Sequence, residues 1–230
     1  MTTSDNAAPA APERSPRRRG RPEAFKGNRQ EALIQAAAQL FYKHGYDGAS
    51  VRDIAAAVGI TSGSIFYHFQ SKEEILAAVL MQGMTIGSAI VRESIEGVSG
   101  ARARLDALVR GHLLALHGEN THFHHIWLKD LGRLPDNLRA PLKVLSKDYQ
   151  ALWLEVLDEV KAAGLIKGDQ HLFRKVAIGA LNWTVQWVNE PTEAQIIELA
   201  KAFTATLLNE PDATVPSLIL GQGKGPAESA

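Results

Sequence analysis

Residues Ser50–Lys72 read SVRDIAAAVGITSGSIFYHFQSK, and their reading decides the fold. Ser50 and Asp53, three residues apart, open a capping box, and Val51, Ile54, Ala55 and Val58 follow at helical spacing. Gly59 stands where that helix must stop and the chain reverse with a positive φ, which glycine adopts without a Cβ penalty. Thr61 or Ser62 caps a second helix running through Ile65 and Phe66 to Phe69, and Ser71 with Glu74 opens a third with another capping box. Small Ala55, turning Gly59 and anchoring Ile65 have helix-turn-helix spacing, an arrangement whose second helix enters the DNA major groove.

Outward from this stretch, Asn28–His44 reads as a first helix with Leu33, Ala36, Ala37, Leu40, Phe41 and His44 on one stripe, ended by Gly45. It completes a three-helix unit with a core of Leu33, Leu40, Phe41, Val51, Ile54, Val58, Ile65 and Phe69. Residues 1–26 are rich in Ala, Pro, Ser and Arg without hydrophobic periodicity and read as a disordered basic arm. The arm contains PRRRGRP, Pro16–Pro22, in which Arg18, Arg19 and Arg21 suit a narrow A/T-rich minor groove; the plainer reading is a solvated basic tail. The net charge of +0 hides an asymmetry. Residues 14–72 hold ten Lys/Arg against four Asp/Glu, as a DNA-binding unit on a neutral partner domain requires.

On the carboxy-terminal side, GITSGSIFYHFQSKEEIL resembles the recognition-helix region of TetR-family repressors in its glycine, small residues, Tyr-x-Phe and Ser-Lys-Glu. That resemblance implies an all-α protein with a helix-turn-helix head at 27–72 and a helical effector-binding and dimerisation domain at 73–209. Apolar periodicity continues in helices from Ser71 to about Glu96, Ala101–His117, a short one in THFHHIWLKDLGRLP, one capped by Asp136 and reaching Ala163, Asp169–Val188, and Thr192–Asn209. No β pattern of convincing length interrupts them, and residues 210–230 read as a flexible tail. Gly83, Gly87 and Gly97 weaken the Ser71 helix by about 1 kcal/mol each relative to alanine, which suits a bend.

Within Asp169–Val188, Leu172, Val176, Ala180, Trp183 and Trp187 form one apolar stripe, and Phe173, Ala177, Leu181, Thr184 and Val188 a second. A helix apolar on two faces needs partners on both. Burial in one large monomer is the plainer account, but a single helix-turn-helix gains affinity and spacing selectivity from a two-fold partner. TetR-like proteins pair their last two helices in a dimer bundle, so the resemblance implies a homodimer through these helices on a palindromic double-stranded operator.

The residues expected to touch DNA are Arg18, Arg19 and Arg21 in the arm, Thr61, Ser62, Ser64, Tyr67 and His68 on the second motif helix, and Ser50, Arg52 and Lys72 at helix starts. Aromatic residues Phe123, Trp127, Tyr149, Trp153, Trp183 and Trp187, with His124 and Asn182, suggest a cavity between helices for a small apolar or amphipathic effector. Aromatics at such spacing also build ordinary cores. GALNWTVQW, Gly179–Trp187, resembles a segment of TetR-type regulators that respond to acyl-CoA thioesters, although Val188, Asn189 and Glu190 depart from the aromatic and Arg-Pro pattern that follows there.

The remaining chemistry is sparse. No cysteine offers a disulfide or thiolate. His117, His122, His124 and His125 lack zinc spacing, and adjacent helical residues diverge by about 100°. No metal, cofactor or catalytic residue is expected, and an enzyme built on the histidines is the most distant reading. No apolar run approaches the roughly 20 residues of a membrane span, and nothing resembles a signal peptide, which suits a cytoplasmic protein. The resemblance thus implies a repressor released from its operator by an effector. An effector-independent architectural DNA-binding protein is the alternative.

Overall fold

The structure, a computed structural model, describes residues 29–211, and these fold entirely into helices and their connections. The head comprises α1 (Arg29–Gly48), α2 (Val51–Ala57) and α3 (Ser62–Ile65). The body comprises α4 (Lys72–Ile95), α5 (Ala101–His117), α6 (Thr121–Asp130), α7 (Asp136–Ala162), α8 (Gln170–Trp183) and α9 (Glu193–Leu207). The arm's Arg18, Arg19 and Arg21 and almost all of the 210–230 tail lie outside the described residues.

The motif folds as its local chemistry dictates. Ser50 Oγ accepts from Asp53 N–H at 3.1 Å, while the Asp53 carboxylate accepts from Ser50 N–H at 3.1 Å and from its hydroxyl at 2.6 Å. These bonds hold the Asp53 carboxyl below its usual range. At the other end of α2, Gly59 has φ +72°, and the N–H groups of Gly59 and Ile60 return to Ala56 and Ala55 carbonyls. This Schellman closure satisfies carbonyls the helix would leave bare. α1 leaves helical geometry at Gly45, φ 72° and ψ 165°, before a last turn to Gly48.

Several expectations need correction. α3 ends at Ile65 rather than Phe69: Ser62, Gly63 and Ser64 are poor helix formers, and Tyr67 and His68 N–H groups donate three residues back, to Ser64 and Ile65, in a tightened turn. Ser71 does cap α4, but the Glu74 carboxylate accepts from Gln70 N–H at 2.7 Å rather than from Ser71. The cap position of α7 is Pro135, without a side-chain bond, so Asp136 serves in the first turn instead. α8 stops at Trp183 and passes into a 3-10 turn over Thr184–Gln186 instead of continuing to Val188. There Thr184 Oγ1 donates to Leu181 O at 2.6 Å and receives a bond from His117 Nε2 at 2.7 Å, which pins the turn against α5.

α4 is one helix through Gly83 and Gly87. Both glycines are buried, and a Cβ on them would stand 2.8 Å from Phe123 Cβ and 2.7 Å from His124 Cε1. They let α6 approach closely, and only Gly97, φ +70°, ends the helix. By length and a mean hydropathy of 1.6, α4 would also suffice to cross a membrane, contrary to the sequence expectation. Its apolar residues are spent on α5, α6 and α7.

Two apolar clusters organise the molecule. One gathers Leu33, Phe41, Ile54, Ile65 and Phe69 of the head with Leu76 and Leu80 of α4, then extends into the body through Phe123, Ile126 and Leu142. Leu40, Val51 and Val58 pack at its edge. The other packs Leu108 and Leu113 of α5 and Leu199 of α9 around fully buried Trp153. Each fully buried large side chain contributes about 1.5–3 kcal/mol.

Candidate nucleic-acid interface and effector cavity

The turn that shortens α3 also presents its side chains. Tyr67 is 90 % exposed, and Phe66, His68, Ser62 and Thr61 stand exposed beside it while Ile65 and Phe69 point into the core. Thr61 Oγ1 accepts from Ser64 N–H at 3.3 Å and pairs with the half-buried Ser64 hydroxyl at 2.9 Å, so this pair holds the helix start. Ser50 is likewise occupied by its capping box. Arg52 is exposed in the first turn of α2. The Lys72 ammonium lies 4.2 Å from the Tyr46 ring centroid, a cation–π placement that orients it at the start of α4.

Tyr46 anchors a clasp between head and body. Its hydroxyl donates to Glu73 at 3.0 Å, and burial, reinforced by that bond, pushes its pKa up to about 12. The Arg133 guanidinium, just beyond α6, sits 5.3 Å from the same ring. It donates twice to Asp47, at 2.9 and 3.2 Å, and through Nε to buried Asp130 at 2.7 Å.

Inside the body, α4, α5, α6, α7 and α8 enclose a cavity of about 160 Å³. Phe123, His124, Trp127, Tyr149 and Asn182 line it, together with Gly83, Gly87, His112 and Arg174. Trp153, Trp183 and Trp187 do not. Trp153 is fully buried one layer behind, 5.7 Å edge-on from the His112 ring. Trp183 is 66 % exposed on the outer side of α8, at an adjoining open cleft of about 490 Å³ that shares Leu128 and Asn182 with the cavity and is bordered by Tyr42, His125 and Lys129. Trp187 lies beyond the end of α8, against the second cluster.

His112, on the core-facing side of α5, is a hub that the sequence reading did not single out. Its Nδ1 accepts from the Tyr149 hydroxyl and its Nε2 donates to Asn182 Oδ1 at 3.0 Å, a tautomer assigned from these partners. A histidine on a core-facing stripe was the available signal, because a buried imidazole requires polar partners. Burial depresses His112 to about 4, and it likewise depresses His124 to about 3 and His117 to about 4. At neutral pH the cavity therefore offers neutral imidazoles. Among the described residues no three His, Cys, Asp or Glu stand together as a metal site.

On the outside of α8 the two stripes separate cleanly. Ala177, Leu181, Thr184 and Val188 are buried within the chain, whereas Leu172, Val176 and Trp183 are 62, 57 and 66 % exposed. The apolar face of α9 is instead largely consumed within the chain, through Ile196, Leu199, Ala200 and Ala202.

Comparisons with known proteins agree with this geometry. The family described as "Bacterial regulatory proteins, tetR family" matches residues 33–79, and the "Tetracyclin repressor-like, C-terminal domain" matches residues 98–210. The HTH-type transcriptional repressor KstR2 of Rhodococcus jostii (strain RHA1) is 29% identical over 189 residues, covering 80% of this chain and 91% of its own. The solved structure of superantigen PfiT is 37% identical with a TM-score of 0.68, covering 81% of this chain and 97% of that one. AibR, solved in complex with isovaleryl coenzyme A and operator DNA, is 26% identical with a TM-score of 0.70, covering 79% and 98%. With one match on the head and the other on the body, the chain belongs to the TetR family of bacterial regulatory proteins.

Proposed function

We propose that this protein is a cytoplasmic, homodimeric transcriptional repressor without enzymatic activity, released from a palindromic operator when an amphipathic effector enters the body cavity. The observation that carries this reading is the double role of α6. Through Phe123, His124 and Trp127 the helix walls the cavity. Through Phe123 and Ile126 it shares a packed cluster with Leu33 and Phe41 of α1, and His125 meets Tyr42 edge-on at 5.2 Å. A ligand that displaces α6 must therefore disturb the seating of the head.

The remaining parts fit this scheme. Tyr67, His68, Ser62 and Ser64 meet DNA, Thr61 and Ser50 fix the helix starts, and Arg52 and Lys72 flank them as phosphate contacts. The exposed stripe of α8 pairs with its copy and sets the separation of the two heads. KstR2 is a transcriptional repressor, and AibR is described in complex with isovaleryl coenzyme A and operator DNA, which favours an acyl-CoA or related acyl compound as the effector class.

The mechanism is a population shift. A ligand that binds the arrangement unable to grip DNA weakens operator affinity, and DNA weakens ligand affinity by the same factor. Fluorescence anisotropy on an operator selected from random duplexes, with acyl-CoA thioesters and free fatty acids added, tests the reading. Release by a member of that panel supports it. Operator binding that every cavity-bound ligand leaves unchanged rules it out.

A further inference from the structure

The body cavity has an uneven charge inventory. Gly83, Gly87, Met84, Phe123, Trp127, Leu128 and Ile178 give it an apolar wall, and no Asp or Glu is among its lining residues. Its histidines are the depressed His112 and His124, so neither brings a charge at neutral pH. Arg174, on α8, is the one lining residue with a permanent charge. It is only 9 % exposed, and its Nε is buried without a hydrogen-bond partner.

No ion pair joins Arg174 to another described residue, although the surface arginines Arg102, Arg104, Arg133 and Arg139 all have carboxylate partners. An unpaired buried guanidinium is costly, and proteins seldom keep one without a partner. Arginine's planar fork of donors matches a carboxylate or phosphate. Ser146 and Gln150 of α7, bonded to each other at 3.1 Å, also line the cavity.

We infer that Arg174 is the anion receptor of the effector cavity, binding a carboxylate or phosphate oxygen of a ligand whose compact apolar part fills the space beside Phe123 and Trp127. This rests on the effector-released reading above and narrows it. A cavity of about 160 Å³ is close to the ~150 Å³ that accommodates a benzene ring, so the enclosed apolar part has about six carbons. Two sources carry this chemistry: a free short-chain carboxylic acid, and the coenzyme A thioester of the same acid, which presents phosphates.

The test is titration calorimetry on the full-length protein with straight-chain acids of about four to eight carbons, their coenzyme A thioesters and the matching neutral alcohols. Wild-type protein binds at least one anionic series, and Arg174→Gln weakens that binding at least about tenfold while Arg174→Lys recovers part of it. The alcohols bind weakly, with no dependence on residue 174. Binding of acids alone identifies a carboxylate as the anion; binding of thioesters alone identifies the phosphates. In a parallel thermal melt without ligand, Arg174→Met raises Tm, because it removes an unpaired charge.

Wild-type affinity of Arg174→Gln for the anionic probes overturns the inference. So does binding of none of the series to wild-type protein, or a fall in the ligand-free Tm of Arg174→Met. Operator release by a neutral ligand would overturn the anion receptor and leave the effector-released repressor standing.

Discussion

Gly83 and Gly87 show how one residue type answers to two neighbours. Alanine in place of either gains about 1 kcal/mol of helix propensity, while overpacking costs about 1–3 kcal/mol. The methyl of Gly83→Ala meets Phe123 Cβ at 2.8 Å, an atom fixed to the α6 backbone, so the clash wins. That variant should lose up to about 2 kcal/mol in a urea titration. The methyl of Gly87→Ala meets the far end of the His124 ring, which can swing away, so its stability should stay nearer wild type while the displaced imidazole intrudes on the cavity. The buried histidines set a pH dependence of definite sign. Folded His112, His117 and His124 titrate at about 4, 4 and 3 against an ordinary 6.5, so the unfolded chain takes up protons first. Stability is therefore complete above pH 6.5 and falls as the pH drops toward 4, by up to about 1.4 kcal/mol per unit for each histidine. Thermal melts from pH 8 to 5 should show this, with a shallower acid slope in His112→Asn. Of these effects only the burial of His112 had a signal in the sequence; the glycines read as a bend because the sequence does not reveal that α6 crosses α4 there.

At the scale of elements, local chemistry was legible and tertiary override was not. The capping box of Ser50 and the Gly59 stop formed because they depend on residues a few positions apart. α8 ended early because His117, 67 residues away, bonds Thr184, and no local pattern carries that information. Trp183 was placed in the cavity on composition, yet helical spacing from Leu172 and Val176 already put it on the outer stripe. That stripe yields a prediction: Val176→Asp, at an exposed position, should leave the ligand-free fold intact and convert a dimer to a monomer in sedimentation at micromolar concentration. A dimer that persists would move the interface elsewhere. In the turn after α3, Tyr67→Ala should abolish operator binding in a gel shift, at least about tenfold, while the far-ultraviolet spectrum is unchanged because the side chain is 90 % exposed. Retained affinity would remove Tyr67 from the reading face.

For the whole molecule, the helix from Ser71 already links the two functional ends in the sequence, and the structure adds a second joint beside it. The joint consists of α6, the cluster it shares with α1, and the clasp of Arg133, Asp47, Asp130 and Tyr46. These pairs link segments as much as 86 residues apart, so only the fold brings them together. The exposed members of the clasp add little stability by themselves, but they fix the angle of the head relative to the body. In the proposed repressor, cavity and operator compete for the same equilibrium. The most direct measurement is the pair of affinity ratios: operator affinity with and without a saturating cavity ligand from the acyl-CoA or fatty-acid panel, and affinity for that ligand with and without saturating operator. Both should fall by the same factor, between about 5-fold and 150-fold. A ligand that demonstrably fills the cavity while both ratios stay at one would contradict that competition.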